Sequence, residues 1–347
     1  MKKFIHLGMP KALSSALQTG FFSKHKSIHY LGVGVGSMID YINDPINIIF
    51  DTLIPFANND YYELSKSTAI NTFNMEVDKA RALKKKWVGI SGECLGVNIT
   101  PEMVDPSLKV KRLTEIVGSD AKIIMITRNN FPLLKSLWTQ LVKEGLSKSF
   151  AEYCQYLWDF RDRSCLNEIL YDLQYLRLVQ AFGKNNVAFI PLEFYREANG
   201  HLSSANHKIE LISKLSKLLD IEYPSNFDLP VINPSMDNRE LFHKLRLNKQ
   251  YRHCFGNLIF EPSNLHRSRK QLELFGAAEG QDLFREIKLK RRLLEQAKKA
   301  AKEQGPEISF ALPEKLSSNL YALFRESNQN FEKVSGIKLP QEYFCTP

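Results

Sequence analysis

The sequence has few cysteines and no long apolar run, and each absence excludes a class of protein. Its five cysteines are odd in number and form no C-x-x-C pair, which disfavours a disulfide framework or a zinc site and favours a reducing compartment. No stretch reaches the roughly 20 apolar residues that a membrane-spanning helix needs. His6, Pro10 and Lys11 interrupt the N-terminal apolar segment, so we do not interpret it as a signal peptide. We expect a cytoplasmic protein with no membrane span.

Two familiar nucleotide-binding patterns are absent as well. The ATP-binding loop G-x-x-x-x-G-K-[ST] places lysine directly before the hydroxyl residue, whereas in "GMPKALSS" (8–15) Lys11 precedes Ser14 by three residues. The glycines of "GVGVGS" (32–37) are spaced G-x-G-x-G and miss the dinucleotide pattern G-x-G-x-x-G, so we interpret this segment as a flexible loop. Together with the lack of a clear magnesium-binding aspartate at a strand end, this disfavours nucleoside triphosphate chemistry.

Positive charge exceeds negative charge, and the formal net charge is +9. Such a balance suits an anionic ligand, a nucleic acid or an acidic surface. Much of the excess lies in "KARALKKK" (79–86) and "REIKLKRRLLEQAKKAAK" (285–302). Both segments are typical of solvent-exposed helix faces, so charge alone identifies no ligand.

Short β-rich runs alternate with longer helical patterns along most of the chain. The runs are 3–7, 27–31, 87–91, 122–127 and 187–192, and the helical patterns include 62–85, 131–144, 149–182 and 205–219. This alternation predicts a three-layer α/β fold, with a central, mostly parallel sheet flanked by helices.

The pattern changes at 223–237, where prolines and asparagines mark a connection without a clear strand. The amphipathic segment 281–303 beyond it predicts a helix docked on the body or on a partner subunit, which allows a homodimer. The predicted organisation is a core at 1–235, a helical insertion of unknown role at 236–311, and a C-terminal helix and tail at 312–347 that pack back on the core.

Two segments favour anion binding. In "GMPKALSS" a strand turns into a helix whose first N–H groups and dipole can hold an anion, although Ser14 and Ser15 can equally form a plain cap. In "KIIMITRNNFPLLKSLW" (122–138) Arg128 ends a strand, and Ser136 follows on the adjoining helix. An arginine and a serine so placed can hold one phosphate; a salt-bridged arginine and a solvated serine are the alternative. Asn130 is the predicted helix cap, with Pro132 in the first turn.

Together the two segments resemble the sulfotransferases that use 3′-phosphoadenosine 5′-phosphosulfate (PAPS). That family has a loop G-x-P-K-x-G-[ST]-[ST]-x-L after its first strand, and a later R-N-P with serine eight residues after the arginine. The matching positions here are Gly8, Pro10, Lys11, Ser14, Ser15, Leu17, Arg128 and Ser136. The resemblance spans 3–235 and 312–343, and the segment from about 240 to 305 has no counterpart.

Two further segments resemble landmarks of the same family. "FIPLEFYR" (189–196), followed by "LLDIEYP" (218–224), is similar to a strand that ends in a Y-E-D-like step. The closing "ESNQNFEKVSGIKL" (326–339) resembles the tail of the carbohydrate-type branch.

The resemblance implies transfer of a sulfuryl group from PAPS, as co-substrate and without a metal, to an acceptor hydroxyl. It implies that Lys11 meets the charge that builds on the leaving oxygen. The loop Gly8, Pro10, Lys11, Ala12, Leu13, Ser14 and Ser15 would hold the 5′-phosphate, and Arg128 with Ser136 the 3′-phosphate. A glycan or another polyhydroxylated acceptor is expected, and nucleic acid is not. The alternative is a non-catalytic protein that binds a nucleotide or a polyanion.

The general base of the family is a histidine or glutamate just past the strand that precedes the arginine-bearing one. Glu93 in "SGECL" occupies that place, with a capping or salt-bridged glutamate as the alternative. His29 is a minor candidate, and His6 is interpreted as a core residue.

The family usually has glycine where this chain has Leu13. A leucine would be strained there if the position needed a positive φ. Because some branches carry alanine at this place, we interpret Leu13 as right-handed.

Overall fold

The computed structural model of the chain contains one parallel sheet of five strands. The strands are β1 (Lys2–Leu7), β2 (Ile28–Val33), β3 (Trp87–Gly92), β4 (Lys122–Thr127) and β5 (Val187–Pro191). Their order is β2-β3-β1-β4-β5, and every pairing is parallel. The five predicted strands are therefore confirmed. The structure describes residues 1–10, 12–33, 45–53, 59–97, 104–195, 205–224, 236–251, 280–302 and 305–345.

The central strands are buried on both faces because helices cover both sides of the sheet. All six residues of β3 are buried, and so are the last five of β4. Near-continuous apolar runs such as "KIIMIT" in β4 are typical of parallel strands between two helical layers. The predicted three-layer α/β fold is confirmed.

Helices connect the strands and follow them. They are α1 (Ser14–Leu17, continued by a π-helical turn, Gln18–Phe22), α2 (Pro45–Leu53), α3 (Asn59–Ala82), α4 (Glu93–Gly96), α5 (Pro106–Val117), α6 (Asn130–Glu144), α7 (Phe150–Asp159), α8 (Leu166–Ile169), α9 (Tyr171–Phe182), α10 (Ala205–Leu219), α11 (Asn238–Gln250), α12 (Gly280–Ala300) and α13 (Glu314–Ser335). Short 3₁₀ turns occupy Lys184–Asn186, Leu192–Tyr195 and Gln341–Phe344.

The single helical pattern predicted over 149–182 is wrong, because the chain forms α7, α8 and α9 there. Ser164 stabilises the turn between α7 and α8. Its hydroxyl donates to the carbonyl of Leu157 at 3.1 Å and accepts the N–H of Leu166 at 3.3 Å. The apolar side chains on either side of the break remain buried, so their periodicity gives no sign of it.

The C-terminal helix packs against the end of the sheet that carries β4 and β5. Phe331 of α13 lies 5.3 Å from the ring of Phe189 in β5, and Phe324 lies 5.3 Å from Phe131 in α6. Gly336 ends α13 in the left-handed conformation, with φ of 75°, as is common at helix C-termini.

The basic amphipathic helix α12 docks on the body of the chain. Its Leu293 and Ala297 are buried, and its Lys290 pairs with Glu144 at the end of α6 at 3.2 Å. Asn248 of α11 fixes the same corner, because its amide donates to the carbonyl of Val142 at 2.8 Å. The sequence predicted that this helix docks either on the body of the chain or on a partner subunit, and in the structure it packs against the body.

Candidate functional site

The register of the sheet brings three of the candidate segments to one edge. Leu7, the last residue of β1, pairs with Gly92 of β3 and with Met125 of β4. Glu93 therefore follows β3 on one side of β1, and Arg128 follows β4 on the other. After β1 the chain crosses over to β2 on one side of β1, and after β3 it crosses to β4 on the other side. The direction of the crossovers therefore reverses between β1 and β4, and α/β proteins bind their ligands at such a topological switch point.

Gly8 is the point of closest approach at this edge. Its N–H donates to the carbonyl of Gly92 at 3.0 Å. A Cβ atom on Gly8 would lie 2.9 Å from Ser14 Oγ and 3.1 Å from Glu93 Cγ. A side chain at Gly8 would therefore displace both Ser14 and Glu93, which places these two candidate residues beside the same backbone atom.

The loop after β1 is closed by its own hydrogen bonds. Ser14 Oγ donates to the carbonyl of Met9 at 3.1 Å, and the N–H of Ala12 donates to the same carbonyl at 3.1 Å. Ser14 is buried and makes no helix-capping bond, whereas Ser15 is half-buried. Pro10 and Ala12 are buried as well.

Lys11, the predicted catalytic cation of this loop, lies outside the described residues. Its proposed role therefore depends on its place in the sequence, between Pro10 and Ala12.

Leu13 adopts the left-handed conformation, with φ of 65° and ψ of 9°, so the right-handed interpretation was wrong. The loop must reverse into α1 at this residue, and the N–H of Leu17 then donates to the carbonyl of Leu13 at 2.9 Å. A left-handed residue other than glycine costs about 1–2 kcal/mol. Packing of the Leu13 side chain against the core offsets part of that cost.

Arg128 and Ser136 meet at the start of α6. Arg128 Nη1 donates to Ser136 Oγ at 2.7 Å. Tyr171 of α9 fixes the backbone of Arg128, because its hydroxyl accepts the N–H of Arg128 at 3.2 Å and donates to its carbonyl. A guanidinium group carries five donors in a fixed plane, so this geometry can hold Ser136 and an anion together.

The cap of α6 lies one residue earlier than predicted. Asn129 Oδ1 accepts the N–H of Phe131 at 3.1 Å, which makes Asn129 the cap. Asn130, the predicted cap, is instead buried in the first turn and donates to the carbonyl of Ile169 at 2.8 Å. Either asparagine is chemically suited to the cap, and tertiary contacts decide between them. Pro132 lies in the first turn, as predicted.

Glu193 holds the Arg128 loop from the end of β5, a role that sequence reasoning missed. Its Oε1 accepts the N–H of Asn129 at 2.8 Å, and its Oε2 accepts the hydroxyl of Tyr343 at 2.5 Å. The C-terminal tail is thereby tied to the same loop. The available signal was a carboxylate directly after a strand, at the edge that carries the other candidates.

A cavity of about 480 Å³ adjoins this loop. It lies between the start of α6 and the C-terminal tail, and its lining residues are Asn129, Phe131, Pro132, Lys135, Gln341, Glu342 and Cys345. The cavity is large enough for a small organic ligand.

Glu93 begins α4 and is exposed. A buried ion pair supports this turn from behind: Lys109 Nζ donates to the carbonyl of Cys94 at 3.0 Å and to Glu168 Oε1 at 2.5 Å. Burial raises the pKa of the Cys94 thiol to about 12 despite the nearby ammonium. Cys94 is therefore a neutral thiol at physiological pH and does not compete with Glu93 for a proton.

We expect replacement of Glu168 by glutamine to destabilise the protein by about 3–5 kcal/mol, because it leaves the buried Lys109 ammonium without its counter-charge. Replacing both partners, as Lys109→Met with Glu168→Leu, should recover most of that loss. Urea denaturation followed by circular dichroism measures both effects. A Glu168→Gln variant within about 1 kcal/mol of the wild type would contradict the role given to this pair.

Neither His29, the minor candidate for the general base, nor the core residue His6 is placed to act at this edge of the sheet. His29 Nε2 lies 2.6 Å from Glu76 Oε2, and His29 is level with Val88, about four residues or roughly 13 Å from the end of β3. His6 is fully buried and paired with Ser91 Oγ at 2.7 Å. Burial lowers the pKa of His6 to about 4, so it is a neutral core residue, as predicted.

Within the described ranges, no group of three or more histidine, cysteine, aspartate or glutamate side chains is arranged to hold a metal ion. None of the helices in that part of the chain has the length and apolar character needed to cross a bilayer.

Comparisons with known proteins give a likeness in structure and none in sequence. No family model matches the chain, and no curated protein does. The chain is similar to the crystal structure of a sulfotransferase from Alicyclobacillus acidocaldarius, with a TM-score of 0.49 and 14% sequence identity, over 98% of this chain and 97% of that one. The function is therefore inferred from the residues of the site itself.

Proposed function

We propose that the protein transfers a sulfuryl group from PAPS to an acceptor hydroxyl. The observation that carries the proposal is the Arg128–Ser136 hydrogen bond of 2.7 Å, one strand away from the loop that starts at Gly8. Helices begin after β1 and after β4, two neighbouring strands, and each start can hold an anion. Two separate anion sites suit a nucleotide with phosphates on two different sugar carbons better than ATP, whose phosphates form one chain.

Each anion site would bind one end of the donor. The loop of Gly8 to Ser15 would hold the 5′-phosphate, with Lys11 neutralising the charge that develops on the leaving oxygen. Arg128 and Ser136 would hold the 3′-phosphate through charge-assisted hydrogen bonds. The cavity between α6 and the C-terminal tail offers room for part of the nucleotide beside that phosphate.

Glu93 is proposed as the general base because it is the candidate carboxylate that the sheet brings to the loop. The acceptor oxygen would attack sulfur as the bond between sulfur and the 5′-phosphate oxygen breaks, and the hydroxyl proton would pass to the Glu93 carboxylate. Most of the rate enhancement would come from alignment and from positive charge at the leaving oxygen. A glycan or another polyhydroxylated molecule is the proposed acceptor, and the cytoplasm the proposed location.

The test is transfer of label from ³⁵S-PAPS to a panel of sugars, polysaccharides and alcohols in the presence of EDTA. We expect labelled product from at least one hydroxyl acceptor, with the chelator making no difference. Binding of the nucleotide without transfer to any acceptor would instead support the non-catalytic alternative. Failure to bind PAPS would exclude the proposal.

A further inference from the structure

Asn129, the residue directly after Arg128, is fixed through both its backbone and its side chain. Its N–H donates at 2.8 Å to Glu193 Oε1, in the turn that follows β5. Its side-chain amide donates at 2.7 Å to the carbonyl of Glu342, in the C-terminal tail. Neither bond involves the side chain of Arg128, so both determine where the loop lies rather than what it binds.

The C-terminal segment makes further contacts beside this loop. Asn328 of α13 is buried, and its amide donates to Asn130 Oδ1 and to the carbonyl of Tyr343, each at 3.0 Å. The hydroxyl of Tyr343, a residue that is 4% exposed, donates to Glu193 Oε2 at 2.5 Å. One carboxylate oxygen of Glu193 therefore meets the tail, while the other meets the N–H of Asn129.

Four residues, which we call the C-terminal clamp, hold the Arg128 loop in this way: Glu193, Asn328, Glu342 and Tyr343. We propose that the C-terminal clamp positions Arg128 to recognise the 3′-phosphate. The inference rests on the proposed function and deepens it, because it assigns positioning residues to the same site. The clamp acts through Arg128 and makes no contact of its own with the nucleotide.

Arg128 needs such support because its task demands a precise orientation. A guanidinium group carries its donors in one fixed plane, and Nη1 of Arg128 donates to Ser136 Oγ at 2.7 Å. Binding groups must lie within about 0.5 Å of their productive positions, and groups on loops are held less precisely than groups on helices or strands. Contacts that fix the residues after Arg128 therefore reduce the ordering that binding would otherwise require.

Tyr343 is the member of the clamp whose contribution can be removed most cleanly. Phenylalanine in its place lacks the hydroxyl but keeps the ring, whose centre lies 6.3 Å from that of Tyr171. The backbone carbonyl that accepts the amide of Asn328 also remains. The loss is confined to the bond to Glu193 and to a contact of 3.5 Å with Thr127 Oγ1.

The test measures the affinity of Tyr343→Phe for adenosine 3′,5′-bisphosphate and for AMP by calorimetry. We expect the bisphosphate to bind about 3- to 10-fold more weakly, the effect of about one hydrogen bond, and AMP to bind as it does to the wild type. In an Arg128→Ala background the same substitution should leave the ratio of the two affinities unchanged, because no guanidinium is left to position. An equal further loss in that background would overturn the proposal.

Glu193 supplies a conservative variant and a disruptive one. Glu193→Gln keeps an oxygen for the N–H of Asn129 and an amide that can donate to the Tyr343 hydroxyl, so it should keep the preference for the bisphosphate. Glu193→Ala removes both bonds and should lower that preference about ten-fold. Equal losses in the two variants would show that the charge of Glu193 matters rather than its hydrogen bonds, and would also overturn the proposal.

The matched control is Tyr62→Phe. Tyr62 is a buried tyrosine of α3 whose hydroxyl donates to Glu115 Oε2 of α5 at 2.6 Å, so the variant loses the same kind of bond outside the Arg128 loop. Tyr62→Phe and Tyr343→Phe should lose similar stability towards urea, but Tyr62→Phe should keep the wild-type preference for the bisphosphate. If both variants lost that preference equally, general destabilisation would explain the effect and the clamp would have no role in recognition.

Hydrogen exchange separates this inference from the proposed function. Peptides that cover 128–131 should exchange faster in Tyr343→Phe than in the wild type, and at the wild-type rate in Tyr62→Phe. If the wild type does not prefer the bisphosphate but exchange accelerates in this way, the proposed function is wrong and the clamp stands as the element that holds the loop. If the wild type prefers the bisphosphate and Tyr343→Phe changes neither exchange nor preference, the clamp is wrong and the proposed function stands.

Discussion

We expect replacement of Glu93 by glutamine to lower turnover by about 10²–10⁴-fold, the usual contribution of a general base. The amide keeps the size and the length of the side chain, but it cannot take up the proton of the substrate hydroxyl. Because Glu93 is exposed at the start of α4, the fold should not depend on its charge. The expected signature is a normal affinity for adenosine 3′,5′-bisphosphate together with a large loss in kcat, measured with ³⁵S-PAPS under saturating donor.

The matched control for this variant is Glu222→Gln. Glu222 is an exposed glutamate whose partner, Lys26, lies before β2 at the opposite edge of the sheet. Its replacement removes one negative charge and should leave turnover unchanged. Near-normal turnover of Glu93→Gln with a good acceptor would remove Glu93 from the mechanism. His29 would not replace it, since it is bonded to Glu76 far from the edge.

We expect replacement of Arg128 by alanine to weaken binding of adenosine 3′,5′-bisphosphate by about 10- to 150-fold. This range corresponds to one hydrogen bond to a charged group, worth about 1.5–3 kcal/mol. AMP, which lacks the 3′-phosphate, should lose little affinity. Calorimetric titration of both nucleotides measures the difference, and Arg128→Lys should fall between the wild type and alanine because it keeps the charge but loses the planar fork.

The alternative cause of weaker nucleotide binding in Arg128→Ala is a change in the structure of the loop that carries Arg128. The backbone of Arg128 is held by Tyr171, and its neighbour Asn129 is held by Glu193, so the loop should survive loss of the guanidinium. Arg81→Ala, which removes an exposed arginine of α3 paired with Asp78, serves as the control. A parallel loss of affinity for both nucleotides in Arg128→Ala would mean that Arg128 does not recognise a 3′-phosphate.

The sheet was predictable because its strands are short apolar runs bounded by turn residues, and burial on both faces leaves a continuous signal. The same apolar runs predicted where each strand ends. The sequence therefore also predicted that Gly8, Glu93 and Arg128 follow the carboxyl ends of strands in one sheet. Parallel strands have their carboxyl ends on the same side of the sheet. Residues that follow two neighbouring strands, such as Gly8 and Arg128, therefore lie close together although they are more than 100 positions apart in the sequence.

The supporting contacts were not predictable in the same way. Glu193 and Tyr343 are 150 positions apart, and Lys109 and Glu168 are 59 apart; no local periodicity links either pair. The left-handed Leu13 was misjudged because side-chain chemistry predicts its conformation only weakly when a loop must reverse into a helix. The cap of α6 differed by one residue because Asn129 and Asn130 have the same chemistry, and distant partners select between them.

We propose that this site recognises a nucleotide with a 3′-phosphate. The most direct measurement is the affinity of the wild-type protein for adenosine 3′,5′-bisphosphate, for AMP and for ATP, by calorimetry in the presence of EDTA. We predict that the bisphosphate binds at least about ten-fold more tightly than AMP, the equivalent of one charged hydrogen bond, and that ATP without magnesium gains no such advantage. Equal affinities for the bisphosphate and AMP would show that the site does not recognise a 3′-phosphate.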